Sequence, residues 1–410
     1  MTNSGTLIDM VQKITYRKDE LDEFLDYRQP NWGNFDPDLG YTSRNRIWSD
    51  GPHVPYVQNT YIPNGPRARV NHRDAPCRIN TFGDSFTDSA QVNDGETWQE
   101  VLAARLGEPV QNFGVGGYGS YQAYRRMLQI EQTDYRAQYL ILNIYNIDDH
   151  YRNIDAFRWV RWHGGMQRTP GQKFRMVHAN PACYLRFNAQ RADFDEIENP
   201  CPTAASLYQL TDSDFVFHLL ENDLATQIML ALNGYTVHNI ALLRDVAASL
   251  NLPLTFDDVN HCQDAAEQLH WQVALRSTMY VVKLWQQFCA QHERTCLIAT
   301  CYEAGMLRAC LAGEQRKDQP ILDYLQAHNI PLFDSGSAHI NDFMLFRGDF
   351  DTYYQRLYHA GHYNPLGNFF FADWMKDELL KILHPAPMLY DKEQARDIAL
   401  ESQCGRNFAL

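Results

Sequence analysis

The chain has 410 residues, of which 45% are apolar and 21% are charged, so it can bury a substantial core and is not a disordered protein. Its formal charge of −14 argues against nucleic acid as the main partner, because phosphate binding needs clustered Lys and Arg. No apolar run approaches the length of about 18 residues that a membrane span needs. The first residues, Met1 to Tyr16, lack the basic start and apolar core of a signal peptide. We therefore predict a cytoplasmic protein.

The N-terminal residues 1–76 contain two kinds of sequence. In residues 5–28 apolar positions recur at helical spacing among charged residues, which predicts an amphipathic helix or a helix pair. Residues 29–76 are rich in Pro, Gly, Asn and aromatic side chains. Free linkers do not have so high an aromatic content. We therefore expect an extended segment, the N-terminal wrap, that packs onto the core.

A regular alternation of strands and helices begins at residue 77. We predict strands at 77–82, 109–113, 138–145, 295–301 and 330–334. We predict helices at 97–106, 119–132 with Ser120 as N-cap, 261–292, 318–327 and 365–384. Strands that alternate with helices form a parallel sheet covered on both faces. The sequence therefore predicts an α/β fold, specifically a three-layer α/β/α sandwich with a five-stranded parallel sheet.

Residues 151–260 interrupt this alternation and are rich in aromatic side chains, with an apolar helix-like stretch at 216–233. We interpret them as an inserted cap or lid over the carboxyl edge of the sheet, where insertions often shape pockets. A separately packed subdomain without a substrate role is the alternative. The predicted boundaries are 1–76 for helix and wrap, 77–150 and 261–390 for the two parts of the α/β domain, 151–260 for the cap and 391–410 for a C-terminal tail.

Nine Cys residues are scattered through the chain; their number is odd, and no Cys-x-x-Cys pair occurs. This pattern is typical of reduced structural thiols, because a disulfide framework or a zinc site needs paired, regularly spaced ligands. We accordingly predict neither a metal site nor a cofactor.

Ser85 lies in a Gly-Asp-Ser turn directly after the first predicted strand of the sheet. In an open α/β sheet ligands bind at this carboxyl edge. A hydroxyl held there can act as a nucleophile if a base reaches it. An ordinary turn is the alternative, since Gly, Asp and Ser all favour turns.

A glycine-rich segment, Gly114-Val115-Gly116-Gly117-Tyr118-Gly119, follows the second predicted strand and precedes a predicted helix. Glycine permits close backbone approach, and N–H groups at a helix N-terminus favour negative charge, which suits a developing oxyanion. A phosphate loop is disfavoured because no Gly-Lys-Ser/Thr follows. A purely structural turn is the alternative.

Polar side chains follow the third predicted strand. Asn146 could donate a hydrogen bond to an oxyanion, which typically lowers the barrier by about 3–4 kcal/mol. Asp148 could do so only when protonated.

His362 precedes the last predicted helix, for which Asn364 and Pro365 are typical of the N-cap and the first residue. An imidazole at this edge could accept the proton of Ser85 and later return it. The alternatives are an ordinary surface histidine or a metal site shared with His359, although no further ligand stands at a suitable spacing.

Together these segments resemble the four sequence blocks of the SGNH hydrolase superfamily, which includes the GDSL esterases and lipases. The resemblance lies in Ser85, Gly117, Asn146 and His362, in that order, and extends over 77–150 and 295–384. It implies that Ser85 is the nucleophile and His362 the base. It also implies an oxyanion hole formed by the N–H groups of Ser85 and Gly117 and the side chain of Asn146. We further expect substrate contacts from four neighbouring residues, Asp84, Tyr118, Asp148 and Tyr363.

The chain departs from the family pattern in two places. The third block of the family reads Gly-x-Asn-Asp, whereas this chain has Tyr-Asn-Ile-Asp at 145–148, which leaves the amide donor open. The family also places an Asp two or three residues before the base, where this chain has Ala360 and His359. Either a carboxylate from elsewhere orients the imidazole, or a backbone carbonyl does so in a Ser–His dyad. The candidate carboxylates are Asp334, Asp349 and Asp351.

The predicted function is hydrolysis of a small carboxylic ester, such as an O-acylated carbohydrate, or of a thioester. An acyltransferase with the same residues is one alternative, and a non-catalytic binding or scaffold protein is another. We expect a small-molecule ester as partner, and neither nucleic acid nor a membrane. The sequence leaves the oligomeric state open.

Overall fold

The computed structural model describes residues 5–28, 32–49, 56–145, 148–154, 180–257 and 262–387. Its helices are α1 (Leu7–Ile14), α2 (Lys18–Leu25), α3 (Ser85–Asp88), α4 (Trp98–Leu106), α5 (Ser120–Glu131), α6 (Asp148–Arg152), α7 (Ala204–Leu207), α8 (Ser213–Leu220), α9 (Leu224–Leu232), α10 (Ile240–Ser249), α11 (Gln263–Gln291), α12 (Ala304–Leu311), α13 (Gln319–Ala327), α14 (Ser335–Leu345), α15 (Phe350–Leu357) and α16 (Pro365–Ile382). Its strands are β1 (Gly33–Asp36), β2 (Gly40–Ser43), β3 (Arg46–Trp48), β4 (Val57–Asn59), β5 (Ile79–Gly83), β6 (Gln111–Asn112), β7 (Tyr139–Tyr145), β8 (Tyr184–Asn188), β9 (Asp193–Ile197), β10 (Thr295–Cys301), β11 (Leu332–Asp334), β12 (Tyr358–His359) and β13 (His362–Tyr363).

Five parallel strands form the central sheet, in the order β11-β10-β7-β5-β6. The middle strand, β7, has the sequence Tyr-Leu-Ile-Leu-Asn-Ile-Tyr, and every residue except the last is buried. Continuous apolar runs of this kind occur in strands that are covered on both faces. The α/β class and the five-stranded parallel sheet are therefore confirmed.

Alternate residues of β7 belong to two different apolar cores. Leu140, Leu142 and Ile144 pack with α5, α11 and the N-terminal helices. Tyr139 and Ile141 pack with α4 and α16. Because side chains alternate between the two faces of a strand, helices cover both faces of the sheet and the fold has three layers.

The N-cap of α5 differs from the prediction. Gly119 is the N-cap, and Ser120 is the first helical residue. The N–H of Tyr121 in the first turn is bound by Oδ1 of Asn153 at 2.8 Å, so a distant side chain satisfies a donor that a local cap would otherwise satisfy. A Cβ at position 119 would lie 2.8 Å from Cβ of Arg152, so glycine also relieves a tight contact.

The predicted cap of the last helix is confirmed. The side chain of Asn364 accepts a hydrogen bond from the N–H of Gly367 at 2.9 Å, and Pro365 is the first residue of α16. This fixes the chain direction immediately after His362.

The N-terminal segment forms the helix pair α1 and α2 and then the two antiparallel hairpins β1–β2 and β3–β4. Arg67, 2% exposed, anchors the wrap. Its guanidinium donates to the carbonyl oxygens of Asp88, Ser89 and Val92 at 2.6–2.8 Å. These hydrogen bonds hold the wrap against the segment that follows Ser85.

Residues 180–257 of the insertion form the hairpin β8–β9 and helices α7 to α10. The apolar stretch predicted at 216–233 lies in two helices, because Asp223 caps a new helix with its side chain. Buried residues of these helices pack in the same core as α11 and the N-terminal helices. The insertion is thus continuous with the core on one face of the sheet.

Candidate active site

Ser85 is the first residue of α3, and its neighbours shape the backbone around it. The side chain of Asp84 is the N-cap and accepts from the N–H of Phe86 at 2.9 Å. A Cβ on Gly83, at the end of β5, would lie 2.5 Å from the carbonyl oxygen of Asn143. Only glycine allows the helix to start directly at the strand end. As a first-turn residue, Ser85 has an N–H without an intrahelical acceptor.

The hydroxyl of Ser85 contacts the imidazole of His362. The distance from Oγ to Nε2 is 2.8 Å. Nδ1 of the same ring lies 3.2 Å from the carbonyl oxygen of Ala360. Because a carbonyl oxygen can only accept, this contact favours a proton on Nδ1 and leaves the Nε2 lone pair facing Ser85. Oγ also lies 3.2 Å from Oδ2 of Asp84, so a second acceptor is in reach.

His362 lies in the short hairpin β12–β13, in which Tyr358 is the cross-strand partner of Tyr363. The hydroxyls of both tyrosines lie 3.1 Å from Nε2 of His339, and the hydroxyl of Tyr353 lies 2.9 Å from Nδ1. Burial lowers the pKa of His339 to about 3, so this ring is neutral. The four residues, which we call the tyrosine clamp, tie the hairpin to the protein core.

The three aspartates predicted to orient the imidazole have other partners. Asp334 accepts from Arg316 at 2.7 Å and caps α14. Asp349 caps α15, and the exposed Asp351 pairs with Arg308 at 2.7 Å. Helix capping and ion pairing thus hold these carboxylates elsewhere, and the described hydrogen bonds bring none of them to the imidazole. The backbone carbonyl predicted as the alternative occupies this place.

The glycine-rich loop packs on α3. A Cβ on Gly114 would lie only 2.2 Å from the backbone nitrogen of Asp88. Gly117 has φ +82°, a conformation that favours glycine. Within the described residues, its N–H donates no hydrogen bond. Gly116 and Gly117 line the same cavity as Ser85.

A buried acidic cluster lies beside Ser85. Arg152 forms an ion pair with Asp148, and its guanidinium lies 3.5 Å from Asp149 and 3.9 Å from Asp84. Burial raises the pKa of Asp84 to about 6. Burial and the nearby charge of Asp84 raise the pKa of Asp149 well above its usual range. Asp84 and Asp149 therefore retain protons to higher pH than free carboxyls do.

The cavity that contains Ser85 and His362 has a volume of about 780 Å³. Much of its wall comes from the N-terminal wrap, which contributes Trp32 and residues 44–49. Among the described residues of the insertion, Arg152 lines it, whereas none of residues 180–257 does. In the described part of the chain, the wrap thus provides more of the wall than the insertion does.

The remaining predicted site residues are placed differently from one another. Asp148 lines the cavity. The other three described residues, Asp84, Tyr118 and Tyr363, are buried and do not line it. Each has a structural role instead: Asp84 caps α3, Tyr118 donates to the carbonyl oxygen of Tyr41, and Tyr363 belongs to the tyrosine clamp. Asn146 lies outside the described residues.

Sequence reasoning missed the wrap as a wall of the site and His339 as a support of the hairpin. The aromatic content of 29–76 predicted that the wrap packs, but no periodicity in it indicates where. His339 stands in an ordinary helical sequence, and only the tertiary structure reveals its three hydroxyl partners.

No protein-family model matches the chain, and no curated protein matches it significantly. Within the described ranges, no helix is long and apolar enough to cross a membrane. In the same part of the chain, no group of three or more His, Cys, Asp and Glu side chains is arranged to hold a metal ion.

Proposed function

We propose that the protein is a serine-dependent carboxylic ester hydrolase that acts through an acyl-serine intermediate. The observation that carries this proposal is the 2.8 Å contact between Oγ of Ser85 and Nε2 of His362. Both residues line a cavity of about 780 Å³, which is the size of a small-molecule site. The resemblance of the sequence to SGNH hydrolases supports the same function. The substrate would be a small O-acyl ester, such as an acylated carbohydrate, or a thioester.

Acylation begins when Oγ of Ser85 attacks the ester carbonyl carbon and Nε2 of His362 accepts the hydroxyl proton. The carbonyl electron pair moves to oxygen and gives a tetrahedral oxyanion. When the carbonyl re-forms, the bond to the alcohol breaks and the imidazolium protonates the leaving oxygen. Water then attacks the acyl-serine by the same proton transfers, and the carboxylic acid is released with the serine restored.

The oxyanion would be stabilised by backbone N–H groups. The N–H of Ser85 has no intrahelical acceptor, and the N–H of Gly117 donates to no described residue. Loss of one donor of this kind typically costs about 3–4 kcal/mol of transition-state stabilisation. Asn146 stays our candidate for the third donor, since Asp148 is ion-paired with Arg152.

The carbonyl oxygen of Ala360 would hold the imidazole in the tautomer that the reaction needs, because it accepts the Nδ1 proton. In a Ser-His-Asp triad the carboxylate has this orienting role. The tyrosine clamp would add positional restraint through the backbone of the hairpin.

A fluorophosphonate probe tests the proposal directly. We expect the probe to label Ser85, and we expect Ser85→Ala to abolish labelling and His362→Gln to slow it strongly. Ser213→Ala, which removes an exposed hydroxyl at the start of α8, is the matched control and should label like wild type. If wild type is not labelled at high protein concentration, the proposal is wrong.

A panel of short-chain p-nitrophenyl esters, with and without alcohol acceptors, then separates hydrolysis from acyl transfer. Release of free acid at the same rate in both conditions supports the hydrolase. Acceptor-dependent formation of a new ester would identify a transferase. A cytoplasmic location is part of the proposal, and fractionation of expressing cells would test it.

A further inference from the structure

The connection between β2 and β3 carries charged side chains into the wall of the cavity. Arg44, Asn45 and Arg46 all line the cavity that contains Ser85. The backbone N–H of Arg44 donates to the carbonyl oxygen of Trp32 at 3.0 Å, so the connection is tied to an aromatic residue of the same wall. The wrap therefore brings guanidinium groups to a site in a protein whose net charge is −14.

Three arginines of the described residues line the cavity, and two of them have carboxylate partners. Arg46 pairs with the buried Asp88 at 3.1 Å, and Arg152 pairs with Asp148. Arg46 also lies over the rings of Trp32, Trp48 and Tyr61, at 5.5–5.9 Å from their centroids. These two guanidinium groups are therefore committed to interactions within the protein.

Arg44 is different. Nη2 donates to the backbone carbonyl oxygen of Tyr27, and no carboxylate of the described residues pairs with this guanidinium. Arginine has five N–H donors in a planar fork, which matches the paired oxygens of a carboxylate or phosphate. The side chain is half-buried, so a bound anion would be partly shielded from water. The acidic cluster around Arg152 lies at Ser85, whereas Arg44, which has no acidic partner among the described residues, belongs to the wrap.

We propose that Arg44 binds an anionic oxygen group, carboxylate or phosphate, on the ester that Ser85 attacks. The inference rests on the proposed function, because it identifies the chemical class of that substrate. The acidic cluster near Ser85 disfavours an anion next to the nucleophile, so the anionic group would be separated from the ester carbonyl. A charge-assisted hydrogen bond of this kind should favour the anionic ester by about 10- to 100-fold in kcat/KM over a neutral ester of the same shape.

The experiment compares three acetyl esters of phenols: 4-acetoxybenzoate, its neutral methyl ester and 4-acetoxyphenyl phosphate. We expect wild type to hydrolyse one or both anionic esters 10- to 100-fold more efficiently than the methyl ester. Arg44→Gln should remove this preference, with a much smaller effect on the methyl ester. Arg44→Lys should keep part of it, because the charge remains but the fork is lost. Arg308→Gln, at an exposed arginine paired with Asp351, is the control and should keep the full preference.

Fluorophosphonate labelling, which uses a neutral reagent, separates the two proposals. If Ser85 is labelled but wild type shows no anionic preference, or Arg44→Gln retains it, the inference about Arg44 is wrong and the esterase proposal stands. If Ser85 is not labelled, binding of 4-hydroxybenzoate and of phenyl phosphate to the Ser85→Ala protein is measured by calorimetry. Binding that disappears with Arg44→Gln supports the anion site without catalysis, and binding unchanged by that substitution overturns it.

Discussion

Replacing Gly114 with alanine tests whether the glycine loop sets the position of the nucleophile helix. An added Cβ would lie 2.2 Å from the backbone nitrogen of Asp88 and 2.5 Å from the carbonyl carbon of Thr87. Both atoms belong to the backbone of α3, so no side-chain rotation relieves the overlap. Gly116, two residues further on, is the matched control, because its added Cβ would meet nothing closer than 3.8 Å.

The expected magnitude follows from these distances. Ordinary contacts of a Cβ begin near 3.4 Å, so α3 must move by about 1 Å to accept the Gly114→Ala methyl group. Forced overpacking of this kind costs about 1–3 kcal/mol. A shift of about 1 Å at the reacting atoms can also slow a reaction by about 100-fold. For Gly116→Ala, neither residue conformation nor space opposes the change, and we expect a free energy of unfolding within about 1 kcal/mol of wild type.

Urea unfolding followed by circular dichroism measures the first quantity, and the rate of fluorophosphonate labelling measures the second. The two variants should separate on both scales, with Gly114→Ala less stable and slower to label. Equal stability of the two variants would refute the claim that the loop and α3 are in rigid backbone contact. A destabilised Gly114→Ala protein that labels at the wild-type rate would refute the claim that this contact positions Ser85.

Three further predictions concern charge and burial. Arg46→Met should lower the free energy of unfolding by about 3 kcal/mol, because the buried carboxylate of Asp88 loses its guanidinium partner and retains the hydrogen bond from Tyr61. Arg308→Gln, which breaks an exposed pair, should change it by less than about 0.5 kcal/mol. Urea unfolding at neutral pH compares the two variants. Burial raises the pKa of Asp223 from 3.8 to about 6, so the unfolded state loses this proton first and wild type loses stability as pH rises from about 4 to 6. Asp223→Asn should remove that loss and be more stable than wild type by about 1–3 kcal/mol at pH 7, with no advantage at pH 4. Parallel profiles of stability against pH for the two proteins would contradict this. His339→Leu removes the ring nitrogens that contact the hydroxyls of Tyr353, Tyr358 and Tyr363. It should lower the free energy of unfolding by about 2–4 kcal/mol and slow probe labelling; unchanged labelling would show that the clamp does not position the base.

The sheet could be predicted from the sequence because its signal is local. β7 is an apolar run broken by one residue, Asn143, and Asn364 and Pro365 mark the start of the last helix. The contact between Ser85 and His362 could also be expected once the sheet was predicted. Each residue was predicted at the carboxyl edge of one parallel sheet, and that edge is a single line in space.

The walls and supports of the site could not be predicted because they depend on packing between distant segments. The wrap contacts α3 through Arg67 and Arg46, which form hydrogen bonds with residues more than twenty positions away. The first turn of α5 is satisfied by Asn153 rather than by a local cap. Asp334 caps a helix and pairs with Arg316. A carboxylate that orients the imidazole would also be an Asp at a strand end, so the sequence alone does not distinguish the two roles.

Short hydrogen bonds position the reacting pair, whereas ion pairs surround it. Ser85 is set by the start of α3, and His362 by the carbonyl of Ala360 and by the hairpin that the tyrosine clamp holds. Salt screens partly exposed ion pairs but has little effect on such hydrogen bonds. Added salt should therefore lower the turnover of the anionic ester, which we propose binds at Arg44, while the neutral probe labels Ser85 at a constant rate. A parallel loss of both rates would mean that ion pairs also set the geometry of the two reacting groups.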